Sequence, residues 1–331
     1  MDNKNLLLQV KDLTVEYTSE GEAIHAVNHV SFDLEKGKTI GLVGETGAGK
    51  TSIARAILGI LPEPPAKVRG GEILFEGRDM LKLPEREMQK IRGKKISMIF
   101  QDPMTALNPI MRIGEQIAEV IRHHEKCGKA ESARRAQAML EMVGIPADRY
   151  YEYPHQFSGG MKQRVVIAMA LACSPELLLA DEPTTALDVT IQAQVLDMIK
   201  ELRRQLGTSM VMITHDLGIV AEVCDTVAVI YAGEVVEYGT REQIFHNPLF
   251  PYTIGLFGSL PELDKDVERL SPIEGLPPDP SNLPKGCAFH PRCPYAGDEC
   301  CGNHLPLTDV GGGHLCRCCR LDAIARKEAK A

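Results

Sequence analysis

Two glycine-rich runs, at 44–51 and 157–164, hold the residue types that bind anions. The first, GETGAGKT, fits G-x-x-x-x-G-K-[ST] at every fixed position. It follows the apolar run 39–43 and precedes a helix-type pattern over 52–58, so a buried strand feeds a loop that opens a helix. There Gly44, Gly47 and Gly49 let backbone N–H groups converge on phosphate oxygens, and the helix start adds partial positive charge. The cradle is the whole stretch Gly44, Glu45, Thr46, Gly47, Ala48, Gly49, Lys50, Thr51 and Ser52. Lys50 is placed to reach the β- and γ-phosphates of a nucleotide, and the Thr51 hydroxyl to ligate Mg²⁺. The second run, FSGGMKQR, opens another helix at Ser158, Gly159 and Gly160. One nucleotide needs one cradle from its own chain, so a second anion site implies a grip from two sides.

Four further residues have types that suit phosphate chemistry. The apolar run 177–180 ends in Asp181 and Glu182. Asp181 sits where a nucleotide-bound Mg²⁺ needs an acidic neighbour, and Glu182 can polarise an attacking water as a general base. Alone, such a pair also describes an ordinary solvated turn; downstream of a phosphate loop it reads as functional. His215 follows the apolar stretch 210–213 and Thr214, where an imidazole can contact a γ-phosphate. Gln101 closes the run 96–100, where an amide can touch Mg²⁺ or water. Tyr17 offers a ring to a nucleobase, and equally reads as a half-buried strand tyrosine.

Elements of alternating type must position these groups. Short strand-like runs at 6–10, 13–17, 27–34, 72–75 and 96–100 are followed by helical periodicity over 114–143 and 158–172. Strand and helix then alternate at 177–180, 191–206, 210–213, 217–223 and 226–231, which predicts a parallel sheet with helices packed on it. The pattern predicts an α/β P-loop core with an antiparallel β subdomain and a helical subdomain at about 110–170. After Pro248 the Pro, Gly and Cys content rises, which divides the chain near 245 into 1–245 and a small extension, 246–331.

With 331 residues, 44% hydrophobic and 25% charged, the composition is that of a folded protein with room for a large core. A net charge of −8, from 37 basic and 45 acidic residues, gives no general basic field for nucleic acid. No apolar run approaches the ~18 residues of a membrane span. The first residues lack the apolar core of a signal peptide. The expected location is cytosolic, with any membrane role reached through a partner.

The order GETGAGKT, Gln101, FSGGMKQR, LLLADE, TTALD and His215 resembles the ATP-binding subunits of ABC transporters, over roughly residues 6–237. Phe157 replaces the leucine usual in that family's signature. The resemblance implies that Ser158, Gly159 and Gly160 bind the γ-phosphate of an ATP held by the other subunit's cradle. It also implies that Glu182 is the catalytic glutamate, Asp181 the Mg²⁺-side acid, and Gln101 the Mg²⁺ ligand whose loop senses the membrane subunit. His215 is then the switch histidine, Tyr17 the adenine-stacking aromatic, and Ala186-Leu187-Asp188 the loop that couples two sites across a dimer. FQDPMTALNP at 100–109, Pro251-Tyr252-Thr253 and GCAFHPRCP at 286–294 further resemble the peptide-importer branch, some of whose relatives serve nickel or other small solutes.

Seven cysteines, Cys287, Cys293, Cys300, Cys301, Cys316, Cys318 and Cys319, crowd the tail. In a cytosolic chain such a cluster suggests metal rather than disulfides. Their spacing is not the C-x₂₋₄-C of common zinc sites. Four thiolates suit either a [4Fe–4S] cluster or Zn²⁺. The subfamily resemblance implies a [4Fe–4S] cluster on Cys287, Cys293, Cys300 and Cys318, with Cys301, Cys316 and Cys319 as alternative ligands. The role expected is to staple a small segment that lacks a large core.

The resemblance therefore implies an ATPase of the membrane's cytoplasmic face that powers import of di- or oligopeptides. Two subunits close head-to-tail over two ATP molecules. The partners implied are a second, related ATPase chain, two membrane-spanning permease subunits and an extracytoplasmic binding protein, with no nucleic acid. The competing readings are an importer of nickel or another small solute, and a soluble ABC ATPase acting on ribosomes or DNA.

Overall fold

The structure, a computed structural model, describes residues 5–19, 21–185, 188–258 and 273–328. The chain forms two compact bodies. One holds Leu34–Thr39, Leu74–Thr214 and the described residues of Met1–Leu8. The other holds Gln9–Asp33, Ile40–Ile73 and the described residues of His215–Ala331.

The first body contains three parallel strands, Ile96–Ile99, Leu177–Asp181 and Ser209–Thr214, in register through Ile99↔Ala180 and Asp181↔Ile213. Leu177, Leu178, Leu179 and Ala180 are all fully buried. Such a continuous apolar run marks a strand covered on both faces. The expected helical stretch 114–143 is two helices, Ile113–Glu125 and Lys129–Met142, which pack on each other. Ile113, Ile117 and Ile121 recur every four residues and form the buried stripe of the first. The helices Gly159–Leu171 and Val189–Leu206 complete this body's main framework.

In the second body, Ile40 to Val43 pair in parallel with the strand Thr226–Tyr231. Glu234–Thr240 runs antiparallel beside that strand, then Leu315–Cys316, then Thr308–Asp309. The strand portions 22–33, 9–19 and 66–73 are neighbours in that order. The runs expected as two strands, 6–10 and 13–17, form one strand, Leu6–Ser19. Asp12 takes a left-handed backbone, φ 52°, without ending it, because its N–H is given to Ser31 Oγ at 2.9 Å.

The cysteine-rich tail is more regular than its composition suggests. It contributes the two short strands above and the helix Leu321–Glu328. Two-residue strands carry no periodicity for a sequence to display. Phe250, Tyr252 and Phe289 pack with Tyr231 in one buried aromatic cluster, the Tyr231 and Tyr252 ring centroids being 4.7 Å apart. Residues on either side of 245 therefore share a core.

Candidate functional site

The phosphate loop lies in the second body. The fully buried strand Thr39–Val43 delivers the chain to Gly44, and the helix Lys50–Leu58 begins six residues later. Gly49 caps that helix at φ 97°, where a side chain would run into the Ala26 carbonyl. Gly47 stands at φ 83° with open space beside it, which leaves its backbone approachable by a ligand. Lys50 is buried, and its ammonium donates to the carbonyls of Gly44 at 2.7 Å and Glu45 at 2.9 Å. The lysine is thus held over the loop's own backbone. The Tyr17 hydroxyl is 3.1 Å from Ser52 Oγ, so two of the residues expected at the nucleotide site meet. A pocket beside the loop is lined by His25, Glu45, Thr46, Gly47 and Ala48 together with Pro278 and Pro280.

The carboxylates lie in the first body. Asp181 ends the buried strand and is itself buried. Glu182 turns the chain with φ 46°, a left-handed conformation that a non-glycine residue adopts only when its surroundings hold it there. Its N–H donates to the Ile213 carbonyl at 2.8 Å. Its Oε2 accepts from Gln101 Nε2 and from Thr185 Oγ1, each at 2.9 Å. Gln101 and Glu182, 81 residues apart, are therefore joined directly. His215 is exposed and begins the stretch assigned to the second body; Asp216 beside it caps the helix Leu217–Val223 through the N–H groups of Gly218 and Ile219.

Ser158 caps the helix Gly159–Leu171, its Oγ accepting the Met161 N–H at 3.3 Å. Ser158, Gly159, Gly160 and Arg164 line an open pocket of about 700 Å³, with Asp188 on its wall. Phe157, which stands where the family has leucine, packs under the Arg149 guanidinium at 4.3 Å. The aromatic face gives that cation a partner an aliphatic side chain lacks. Ala186 and Leu187 of the expected coupling loop lie outside the described residues; Asp188 precedes the helix Val189–Leu206.

Cys287, Cys293, Cys300 and Cys318, the expected ligand set, line one pocket together with Cys319. Cys301 and Cys316 do not line it: Cys301 is exposed, and Cys316 belongs to a strand. Burial pushes the Cys287 thiol up to about 12 and the Cys318 thiol up to about 11, the neighbouring thiols adding to the effect. Among the described residues no group of three or more His, Cys, Asp or Glu side chains is gathered closely enough to hold a metal ion. The donor chemistry suits a thiolate-ligated group, and of these sulfurs Cys300 and Cys319 approach to 3.7 Å.

Sequence reasoning missed three residues. Arg292 grips the Glu45 carboxylate with two nitrogens, at 3.0 and 3.2 Å, and Tyr252 accepts the Glu45 N–H at 2.8 Å. Both belong to runs noticed only as subfamily marks. Glu237 is fully buried and accepts from His314 Nε2 and from the N–H groups of Leu249 and Phe250. A glutamate among apolar strand residues was the signal available for it.

Comparison with known proteins gives the chain's family. The family model for ABC transporters matches residues 27–185, and that for the C-terminal region of oligopeptide/dipeptide transporters matches 236–300. The oligopeptide transport ATP-binding protein OppD of Bacillus subtilis is 54% identical over 93% of this chain and 87% of its own length. The dipeptide transport ATP-binding protein DppD of the same organism is 53% identical over 94% of each. Among solved structures, a dimeric ATP-binding cassette in a post-hydrolysis state with ADP and Pi superposes with a TM-score of 0.64 at 27% identity, covering 71% of this chain and 99% of that one. The chain thus has the α/β fold of the ABC ATPase cassette and belongs to the ATP-hydrolysing, ATP-binding subunits of the oligopeptide/dipeptide branch of ABC transporters.

Proposed function

We propose that this chain binds and hydrolyses ATP to drive import of di- or oligopeptides at the cytoplasmic face of a membrane. The observation that carries the reading is the bond between Gln101 and Glu182. It holds a carboxylate in a left-handed turn at the end of a buried strand, where a water-activating group belongs. Two subunits close head-to-tail, the cradle Gly44 to Ser52 of one subunit facing Ser158, Gly159 and Gly160 of the other. The exposed, capped helix start in its open pocket supports that arrangement. Thr51, Gln101 and Asp181 would be the residues that serve Mg²⁺, Tyr17 would take the base, and His215 the γ-phosphate. Bound Mg²⁺ supplies charge neutralisation on the phosphates.

The second ATPase is a related chain. Two permease subunits and an extracytoplasmic binding protein complete the assembly, as expected of the relatives' transport role. Among the described residues no helix is long and apolar enough to cross a membrane. Residues 1–245 form the ATPase, with a helical part at about 110–170, and 246–331 the extension. The extension takes a [4Fe–4S] cluster on Cys287, Cys293, Cys300 and Cys318, supported by their shared pocket and favoured over Zn²⁺ by the subfamily resemblance.

Co-purification tests the transport role: two membrane-spanning subunits should travel with this chain, and recovery with ribosomes or DNA instead would overturn it. Iron and sulfide analysis of anaerobically purified protein tests the cluster; zinc without sulfide would refute it.

A further inference from the structure

Glu45 is an odd residue to find in a loop built for a polyanion. It is the second residue of the phosphate loop, so it brings a negative charge to a loop whose ligand carries several more. Arg292, from far along the chain, answers it. The guanidinium has five N–H donors, and every one has a partner. Nη1 donates to Glu45 Oε2 at 3.0 Å and to the Tyr231 hydroxyl at 3.3 Å. Nη2 donates to Glu45 Oε1 at 3.2 Å and to the Ile273 carbonyl at 3.5 Å. Nε donates to the Glu274 carbonyl at 3.0 Å. The Arg292 side chain is 6% exposed and the Glu45 side chain 29%, so the guanidinium of this two-pronged pair is sheltered while the carboxylate keeps contact with solvent and its ions. The Tyr252 hydroxyl fixes the backbone of the same glutamate.

We propose that Arg292 is a positioning residue for nucleotide binding: it holds the Glu45 carboxylate and cancels its charge beside the phosphate loop, so the C-terminal segment sets the affinity for ATP. The proposal rests on the phosphate loop being the ATP site. A merely structural bridge predicts that breaking it from either end does the same harm. Charge cancellation predicts opposite signs. Removing the arginine leaves an unbalanced anion beside the phosphates, whereas removing the glutamate leaves an unbalanced cation.

The test is the affinity of the full-length chain for Mg·ATP by calorimetry, at low and high salt, with thermal melts confirming folding. Arg292→Met should weaken binding about tenfold, ~1.4 kcal/mol, and high salt should shrink the loss. Glu45→Gln should tighten binding, and Glu45→Gln/Arg292→Met should recover most of what the arginine variant lost. Where Arg292→Met does not fold, Arg292→Gln carries the same expectation. Both single variants weakening binding alike, the double variant remaining as weak as Arg292→Met, or an unchanged affinity in Arg292→Met would each overturn the proposal. A wild-type chain that fails to bind Mg·ATP would overturn the site assignment itself, a distinct result.

Discussion

The Gln101 amide donates to Glu182 Oε2 at 2.9 Å, and Thr185 Oγ1 donates to the same oxygen at the same distance. The carboxylate is therefore aimed by a loop from a neighbouring strand's end, not by its own turn alone.

That aim predicts a separation of binding from turnover. Glu182→Gln should lower steady-state ATP hydrolysis by at least about 10²-fold, the usual scale of a general base, with Mg·ATP binding retained. Gln101→Ala should lower kcat, since it loosens the carboxylate, and raise KM for Mg·ATP, since it removes a Mg²⁺ ligand. Phosphate-release assays on the assembled transporter check both; an active Glu182→Gln variant would remove the residue from the mechanism.

Glu237 is buried among apolar strands and is satisfied by His314 and two backbone N–H groups. Removing the imidazole strips one donor from a buried carboxylate. His314→Ala should cost about 3 kcal/mol of stability, read as a shifted denaturant midpoint, and His314→Gln, which keeps a donor, should cost less.

Burial raises Glu234's pKa above the ordinary carboxylate value, with Arg317 and His29 pulling the other way and His304 Nδ1 at 3.2 Å. A carboxyl whose folded pKa exceeds its unfolded one holds its proton longer when folded. Its contribution to stability is therefore lost as pH rises through that window. Glu234→Gln should stabilise the protein at pH 7, and the gain should fade by about pH 3, where the wild-type carboxyl is protonated in both states. Denaturation curves at the two pH values decide it; a gain that does not depend on pH would assign the effect elsewhere.

A Cβ added at Gly114 would fall onto the ring of Tyr150, which is buried and donates its hydroxyl to Glu115 at 3.1 Å. Gly114→Ala should destabilise by about 2–3 kcal/mol through overpacking. Gly114→Ala/Tyr150→Leu should recover part of that loss, measured by thermal or chemical unfolding.

The sequence made the elements around the phosphate chemistry readable because their signals are local. A strand feeding GETGAGKT, an apolar run before Asp181, and a serine opening a helix at 159 each combine period, cap and glycine within about a dozen residues. The helix at 217–223 and the strand at 226–231 fall where the pattern placed them. What escaped depends on distant contacts. Nothing near Arg292 announces Glu45, 247 residues earlier, and nothing near His314 announces Glu237. Asp12 escaped for the opposite reason: a polar residue between two apolar runs looks like a turn until Ser31 supplies its partner. The cysteines displayed their number but not their arrangement. Only folding separates Cys287, Cys293, Cys300, Cys318 and Cys319 from the exposed Cys301 and the strand-bound Cys316.

The short strand Leu315–Cys316 has a further consequence. It pairs with Glu234–Thr240 through Glu237↔Cys316 and Tyr238↔Leu315, while Arg317 adds bonds to the carbonyls of Val235 and Val236. Without it, a long run of Val235, Val236 and Tyr238 would present unpaired backbone to any passing chain, a template for aggregation. The tail replaces that border with Thr308–Asp309, two exposed residues too short and too polar to recruit another strand. It acts as a hem on the sheet, so a chain cut before this pair should be a sticky one whatever becomes of its cysteines.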